Sequence, residues 1–121
     1  MSAATYQFYN PEYLESLIGD DVETKSIVLS TLLTEVPAEL QTLKNLLREK
    51  DLHNFHLVSH KLKSTLAYIG DDVISDKNNE MMLLARNNSE LDKLPDLWSQ
   101  INGRWSLIEP EVKFALSQLS I

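Results

Sequence analysis

The sequence contains no cysteine. That absence excludes disulfides, thiolate metal sites and cysteine nucleophiles, and it agrees with a reducing compartment. There are only three glycines and four prolines in 121 residues, a composition that favours helices over an all-β fold. Isolated glycines form no phosphate-cradling loop of the kind that binds nucleotides, so we expect no ATP site and no self-phosphorylation.

Long apolar runs are also missing. No stretch approaches the roughly 18 apolar residues of a membrane span, and residues 1–10 contain neither a basic residue nor an apolar run. The sequence therefore predicts no secretory signal and no membrane contact, and we expect a cytoplasmic protein. A chain of this length has room for one core, so we expect one domain over residues 1–121.

Acidic residues outnumber basic ones by 18 to 11, which gives a net charge of −7 and argues against nucleic acid as a partner. Their distribution is uneven, because residues 52–70 contain no Asp or Glu while Lys50, Lys61 and Lys63 lie in or beside that window. The gap is either chance, combined with a need for helix formers, or a sign that an anionic group or an acidic partner surface approaches this segment.

Apolar residues recur at helical spacing along almost the whole chain. The expected order is a short helix from Asn10-Pro11 to Gly19, a long helix capped by Asp20 or Asp21 and bent by Pro37, a helix from Asp51 to Gly70, a helix from Asp71, and a last helix containing Pro110. The connections are short. We therefore predict an all-α protein, an antiparallel four-helix bundle with a short additional N-terminal helix.

One position in the fourth helix does not fit the pattern. The apolar stripe runs through Val73, Ile74, Met81 and Leu84, and Lys77 falls where an apolar residue is expected. Either its methylenes lie along the core while the ammonium reaches solvent, or this helix is the least stable of the bundle.

The third helix carries the most informative residue, His60. Its apolar side contains Phe55, Val58, Leu62, Leu66 and Ile69, and His60 lies on the opposite side. Within roughly 60° of His60 around the helix lie His53, His56, Leu57, Lys63, Ser64 and Ala67. The pattern predicts a histidine that faces water with space beside it.

The segment around His60 resembles the signature of histidine-containing phosphotransfer (HPt) domains, which carry phosphoryl groups between response-regulator receiver domains. The resemblance rests on His60, Leu62, Lys63 and Gly70, with small residues after the lysine. Ser64 stands where the family most often has glycine, a departure that keeps the site small. The helix pattern and the length extend the similarity to nearly the whole chain.

This resemblance implies a phosphorelay intermediate, a phosphocarrier rather than an enzyme. His60 would be the phosphoacceptor, since a neutral imidazole is a nucleophile near pH 7 without a general base, and Lys63 would offset the charge of the phosphoryl oxygens. The partners would be receiver domains, either separate or within a hybrid sensor kinase. They would supply the aspartate and the Mg²⁺, so the chain would need no cofactor of its own. We expect a monomer.

Four residues near His60 are candidates for contacting the partner: His56, Leu57, Ser64 and Ala67. An exposed leucine beside a reactive histidine suggests an apolar contact, although a lone surface leucine is also common. His56 either belongs to this surface or modulates His60, and Tyr68 lies at its edge.

Two other functions stay open on the sequence alone. One is a non-catalytic helical adaptor that binds a partner protein, with His60 incidental. Alternatively, His56 and His60, four residues apart, would bind Zn²⁺ with His53 as the third ligand, although no carboxylate or cysteine accompanies them. Trp98, Trp105 and Phe55 have core spacing and are expected to pack rather than bind a ligand.

Overall fold

The computed structural model describes residues 6–119, which form five α-helices, one short 3₁₀ helix and no strand. The prediction of an all-α protein is therefore confirmed. The elements are α1 (Glu12–Ile18), α2 (Val22–Arg48), α3 (Leu52–Ala67), α4 (Asp72–Asn87), the 3₁₀ helix (Leu91–Lys93) and α5 (Leu94–Ser117). Over this range no helix is both long enough and apolar enough to cross a bilayer.

The four long helices form a bundle in which each packs against two neighbours, in the cyclic order α2, α3, α4, α5. Segments 49–51 and 68–71 connect the first three of them, and the turn and 3₁₀ helix at 88–93 connect α4 to α5. Such short connections make successive helices antiparallel. The short helix α1 packs against α2, as expected for an additional N-terminal helix.

Aspartates begin three of the four long helices, as predicted. The side chains of Asp21, Asp51 and Asp71 each accept a hydrogen bond from the backbone N–H three residues later, which satisfies a donor that has no partner inside the helix. The prediction for α1 was wrong by one residue. This helix begins at Glu12, although Asn10 Oδ1 still accepts from the Glu12 N–H at 3.0 Å.

The predicted apolar stripes supply most of the core, with two corrections. In α2, Leu32 is buried although it lies outside the stripe that the spacing predicts, which consists of Val22, Leu29, Leu33, Val36, Leu40, Leu43 and Leu47. The helix continues through Pro37, and the bend expected there stays a prediction. In α4, the core position is taken by Asn78 rather than Lys77, which is only half-buried, and Val73 is exposed. The irregularity at Lys77 therefore reflects a stripe that is shifted by one residue.

A segment before α1, residues 6–10, crosses one end of the bundle. The Glu111 carboxylate on α5 accepts three backbone N–H bonds from it, from Gln7 at 3.2 Å and from Phe8 and Tyr9 at 2.9 Å each. Burial would raise the pKa of the Glu111 carboxyl, but these bonds outweigh it and lower the pKa. The carboxylate therefore stays charged at neutral pH and fixes the segment to α5.

The same segment holds the end of α3. The Asn10 N–H donates to the Ile69 carbonyl at 2.9 Å, and Gly70 follows with a φ of +71°. A Cβ atom at Gly70 would lie 2.6 Å from the Asn10 carbonyl oxygen. Both the backbone conformation and the close approach of the chain require glycine here, as the predicted left-handed end of the helix implies.

An ion pair joins the start of α4 to α5. Arg104 donates two hydrogen bonds to the Asp71 carboxylate, at 2.7 and 2.8 Å, and its guanidinium lies over the Phe8 ring. The Asp71 side chain is only 7% exposed. Burial would raise its pKa, but the hydrogen bonds from Arg104 and from the Ile74 N–H outweigh burial and lower the pKa.

Arg104→Gln is expected to destabilise the fold by about 2 kcal/mol near pH 7, because it leaves a buried carboxylate without its charged partner. The folded-state pKa of Asp71 lies below its usual 3.8, so the stabilisation is present above that pH and is lost as the pH falls through the folded-state pKa. Urea unfolding should therefore show a smaller loss at a pH well below 3.8 than near pH 7. Lys113→Gln, the same change of charge at an exposed position of α5, should cost little at either pH. An equal loss at both pH values would contradict the ion-pair origin.

Candidate functional site

Helix α3 carries the candidate site, and its two ends are fixed locally. Asp51 caps its start, accepting from the Asn54 N–H at 3.2 Å and from the Asn54 side-chain amide at 2.7 Å. These bonds lower the pKa of the Asp51 carboxyl. Phe55, Leu62 and Leu66 are fully buried and hold the inner side of the helix against the core, which sets the direction of the outer side.

His60 is exposed, as the helical pattern predicted. Its ring lies 6.2 Å from the ring of His56, measured between centroids. The exposed ring is open to attack on a group brought from solvent or by a partner protein. A cavity of about 520 Å³ lies away from His60, between residues 6–12 and 70–73.

Rotation about the α3 axis shows which side of His60 faces its neighbour. Ser59, about 100° from His60, is fully buried and forms hydrogen bonds with Asn78 of α4. His56 and Ala67 lie between Ser59 and His60 around the helix, and both are half-buried. The site therefore borders the groove between α3 and α4 on one side and open solvent on the other.

The candidate contact residues fall into an exposed group and a half-buried group. Leu57 and Ser64 lie on the open side and are exposed, Leu57 by 49%. His56 is less accessible than the sequence suggested, because its Nδ1 atom is buried and has no hydrogen-bond partner among the described residues. Only the rest of that ring is available to a partner.

Two lysines of α3 differ in what they contact. Lys61 lies 3.4 Å from Glu39 of α2 and forms an ion pair with it. Lys63, one turn after His60, is exposed and forms no ion pair with any residue between 6 and 119. The Lys63 ammonium is therefore free to approach an anionic group on the His60 side of the helix.

Metal binding finds little support in the described chain. Residues 6–119 contain no group of three or more His, Asp or Glu side chains placed to hold an ion. His53, His56 and His60 occupy one side of α3 but do not converge on one point. The aromatic residues Phe55 and Trp105 are buried, and Trp98 donates from Nε1 to the Leu40 carbonyl at 2.8 Å; all three pack as expected.

The sequence reasoning missed the buried polar pair beside His60, formed by Ser59 and Asn78. The spacing of Ile74, Asn78, Met81 and Ala85 in steps of four, three and four was the available signal, because it places an asparagine in the core stripe of α4. The partner on α3 could not be read from spacing, since the pairing depends on how the two helices align.

Comparison with family models places residues 27–118 in one family, described as the Hpt domain. The chain belongs to the Hpt domain family. The match includes all of α3, α4, the 3₁₀ helix and α5, and most of α2. Comparisons with curated proteins and with solved structures gave no significant match.

Membership explains the architecture and the coarse function. Hpt domains are helical bundles that act as histidine phosphocarriers in phosphorelays, without a nucleotide site of their own, and they interact with response-regulator receivers. The family match alone does not select among His53, His56 and His60, since all three lie inside it. The choice among them depends on the geometry of α3.

Proposed function

We propose that this protein is a phosphorelay intermediate that accepts a phosphoryl group on His60 from a receiver-domain aspartate and passes it to another receiver. The observation that carries the proposal is the exposure of His60 next to Lys63, which forms no ion pair within residues 6–119, on a face of α3 without acidic residues. His53 is also exposed but lies at the start of the helix, and His56 has a buried ring nitrogen.

The transfer requires few groups from this chain. The lone pair of one ring nitrogen of neutral His60 attacks phosphorus, the P–O bond to the receiver aspartate breaks, and the carboxylate leaves as an anion. The proton on the other ring nitrogen stays there during the attack, so no general base is needed. In our proposal the receiver brings the Mg²⁺, and this chain holds no metal or cofactor.

The surroundings of His60 suit this chemistry. A phosphoryl group adds up to two negative charges and three acceptor oxygens. Residues 52–70 contain no carboxylate that would repel it, the Lys63 ammonium can form charge-assisted bonds with it, and the Ser64 hydroxyl is small and exposed. We propose that Leu57, Ser64 and Ala67, with the accessible part of His56, form the surface that the receiver covers.

The direct test is retention of phosphate. The purified protein is mixed with a phosphorylated receiver, and we expect it to retain a phosphoryl group that is labile in acid and stable in alkali. A helical adaptor would bind the receiver without retaining phosphate, so binding without labelling would refute the proposal. Stability in acid would indicate a hydroxyl ester rather than phosphohistidine.

Lys63→Ala is expected to slow transfer, or to shorten the life of the phosphorylated protein, by a factor of several. One exposed charge-assisted contact is worth roughly 1 kcal/mol. Lys61→Ala is the matched control, because it removes the same charge from the same helix but from a lysine paired with Glu39. Time courses with both variants at several salt concentrations test this. Identical kinetics for both variants and the wild type would show that Lys63 is only a solvated helix residue.

A further inference from the structure

A buried polar pair joins α3 to α4 beside the candidate site. Ser59 and Asn78 are both 0% exposed. The Asn78 side-chain amide donates to the backbone carbonyl of Ser59 at 3.0 Å, and the Ser59 hydroxyl donates to Asn78 Oδ1 at 3.5 Å. One asparagine therefore contacts both the main chain and the side chain of the residue that precedes His60.

This pair restricts how α3 can lie on α4. The surrounding contacts are apolar and non-directional, so they tolerate a small shift or rotation of one helix against the other. The Asn78 amide does not tolerate such a shift, because a displaced amide would be buried without a hydrogen-bond partner. Unpaired buried amides of this kind are rare in native proteins. A single buried asparagine is known to fix the alignment of packed helices in this way.

The alignment matters because the site lies at the border of both helices. A stable interface buries roughly 800 Å² on each partner, which is more than one side of α3 offers. A partner that covers His60 and the half-buried Ala67 must therefore also rest on a neighbouring helix, and we place this contact on α4, which packs beside Ser59. Displacement of α3 would move His60 relative to that part of the partner's footprint.

We infer that Asn78 is a positioning residue, which fixes the height and rotation of His60 relative to α4 through its hydrogen bond to the Ser59 carbonyl. This inference rests on the proposed function for its effect on transfer. It assigns Asn78 no contact with the phosphoryl group and no role in the chemistry at the imidazole.

Asn78→Leu is the sharpest test, since leucine has a similar volume and removes only the polar contacts. Ser59 keeps hydrogen-bond partners within α3 in this variant. Its carbonyl still accepts from the backbone N–H four residues later, and its hydroxyl can donate to a backbone carbonyl of the preceding turn. The variant should fold. We expect receiver-driven phosphorylation of His60 to fall roughly tenfold, while phosphorylation by phosphoramidate stays within about twofold because the ring remains exposed.

Met81→Leu is the matched control, because it changes an equally buried position of α4 without removing a hydrogen bond. Both rates should match the wild type. NMR signals of the His60 imidazole give a second readout, and we expect them to shift or broaden in Asn78→Leu and not in Met81→Leu. These signals test the position of His60 even if the wild-type protein accepts no phosphoryl group, which would refute the proposed function separately.

Three results would overturn the inference. Wild-type rates and wild-type imidazole signals in folded Asn78→Leu would leave Asn78 with a purely structural role. An equal fall in both rates would place the effect in the chemistry of His60 rather than in its position. Should Asn78→Leu fail to fold, Asn78→Ala is measured at a temperature where circular dichroism shows it folded, and equal falls in both rates there would count against the inference in the same way.

Discussion

His60→Gln is expected to abolish phosphoryl acceptance while leaving the helical bundle intact. Glutamine has no nucleophilic nitrogen, since its amide lone pair is delocalised, so neither a receiver nor phosphoramidate should label the variant. The side chain at this position is exposed, and surface substitutions usually change the free energy of unfolding by less than about 0.5 kcal/mol. Labelling with radioactive phosphate, together with circular dichroism and urea unfolding, measures both parts of the expectation.

His53→Gln and His56→Gln provide the controls for His60→Gln. His53 is exposed near the start of α3, two turns before His60, and should keep full activity. His56 lies closer, with its ring centroid 6.2 Å from that of His60 and its Nδ1 buried, so its variant should keep most of the activity. Labelling that persists in His60→Gln would refute the site assignment. Equal loss in all three variants would point instead to a shared metal ion.

Much of the fold was predictable because its determinants are local. The caps at Asp21, Asp51 and Asp71 and the left-handed Gly70 each depend on a few consecutive residues. The apolar stripes depend on helical spacing, which the backbone imposes on any amphipathic helix. The exposure of His60 follows from the same rule, since it lies opposite a continuous apolar stripe.

The features that the sequence did not reveal are contacts between distant segments. Glu111 binds backbone groups more than 100 residues away, and nothing in its local sequence distinguishes it from an exposed glutamate. Arg104 and Asp71 are 33 residues apart. Pairs of this kind form only after the bundle has assembled, because each depends on where two helix ends meet.

At the candidate site, too, local spacing was predictable and contacts between helices were not. A helical projection places His56 and Leu57 at similar angles on either side of His60, and it treats them alike. In the folded protein His56 is half-buried with its Nδ1 atom enclosed, whereas Leu57 is exposed. Which side is covered depends on the packing of α3, and the Ser59–Asn78 pair marks that side.

Ala67→Glu tests whether the receiver covers the groove side of this surface. Ala67 is half-buried and lies two turns after His60, at nearly the same angle around α3 but slightly toward the side of Ser59. A glutamate there should obstruct a docking partner and repel the acidic pocket in which a receiver carries its aspartate and Mg²⁺. We expect receiver-driven phosphorylation of His60 to fall at least about tenfold, a loss of about 1.4 kcal/mol or more.

Phosphoramidate separates docking from chemistry in the same variant. It needs no docking surface, and Ala67→Glu leaves the imidazole untouched, so the rate with phosphoramidate should stay within about twofold of the wild type. Ala67→Gln is the matched control: it has nearly the same size without the charge, and a smaller fall with the receiver would measure the electrostatic share. If Ala67→Glu lowers the receiver-driven and phosphoramidate-driven rates equally, the effect lies in the chemistry of His60, and the receiver does not dock over Ala67.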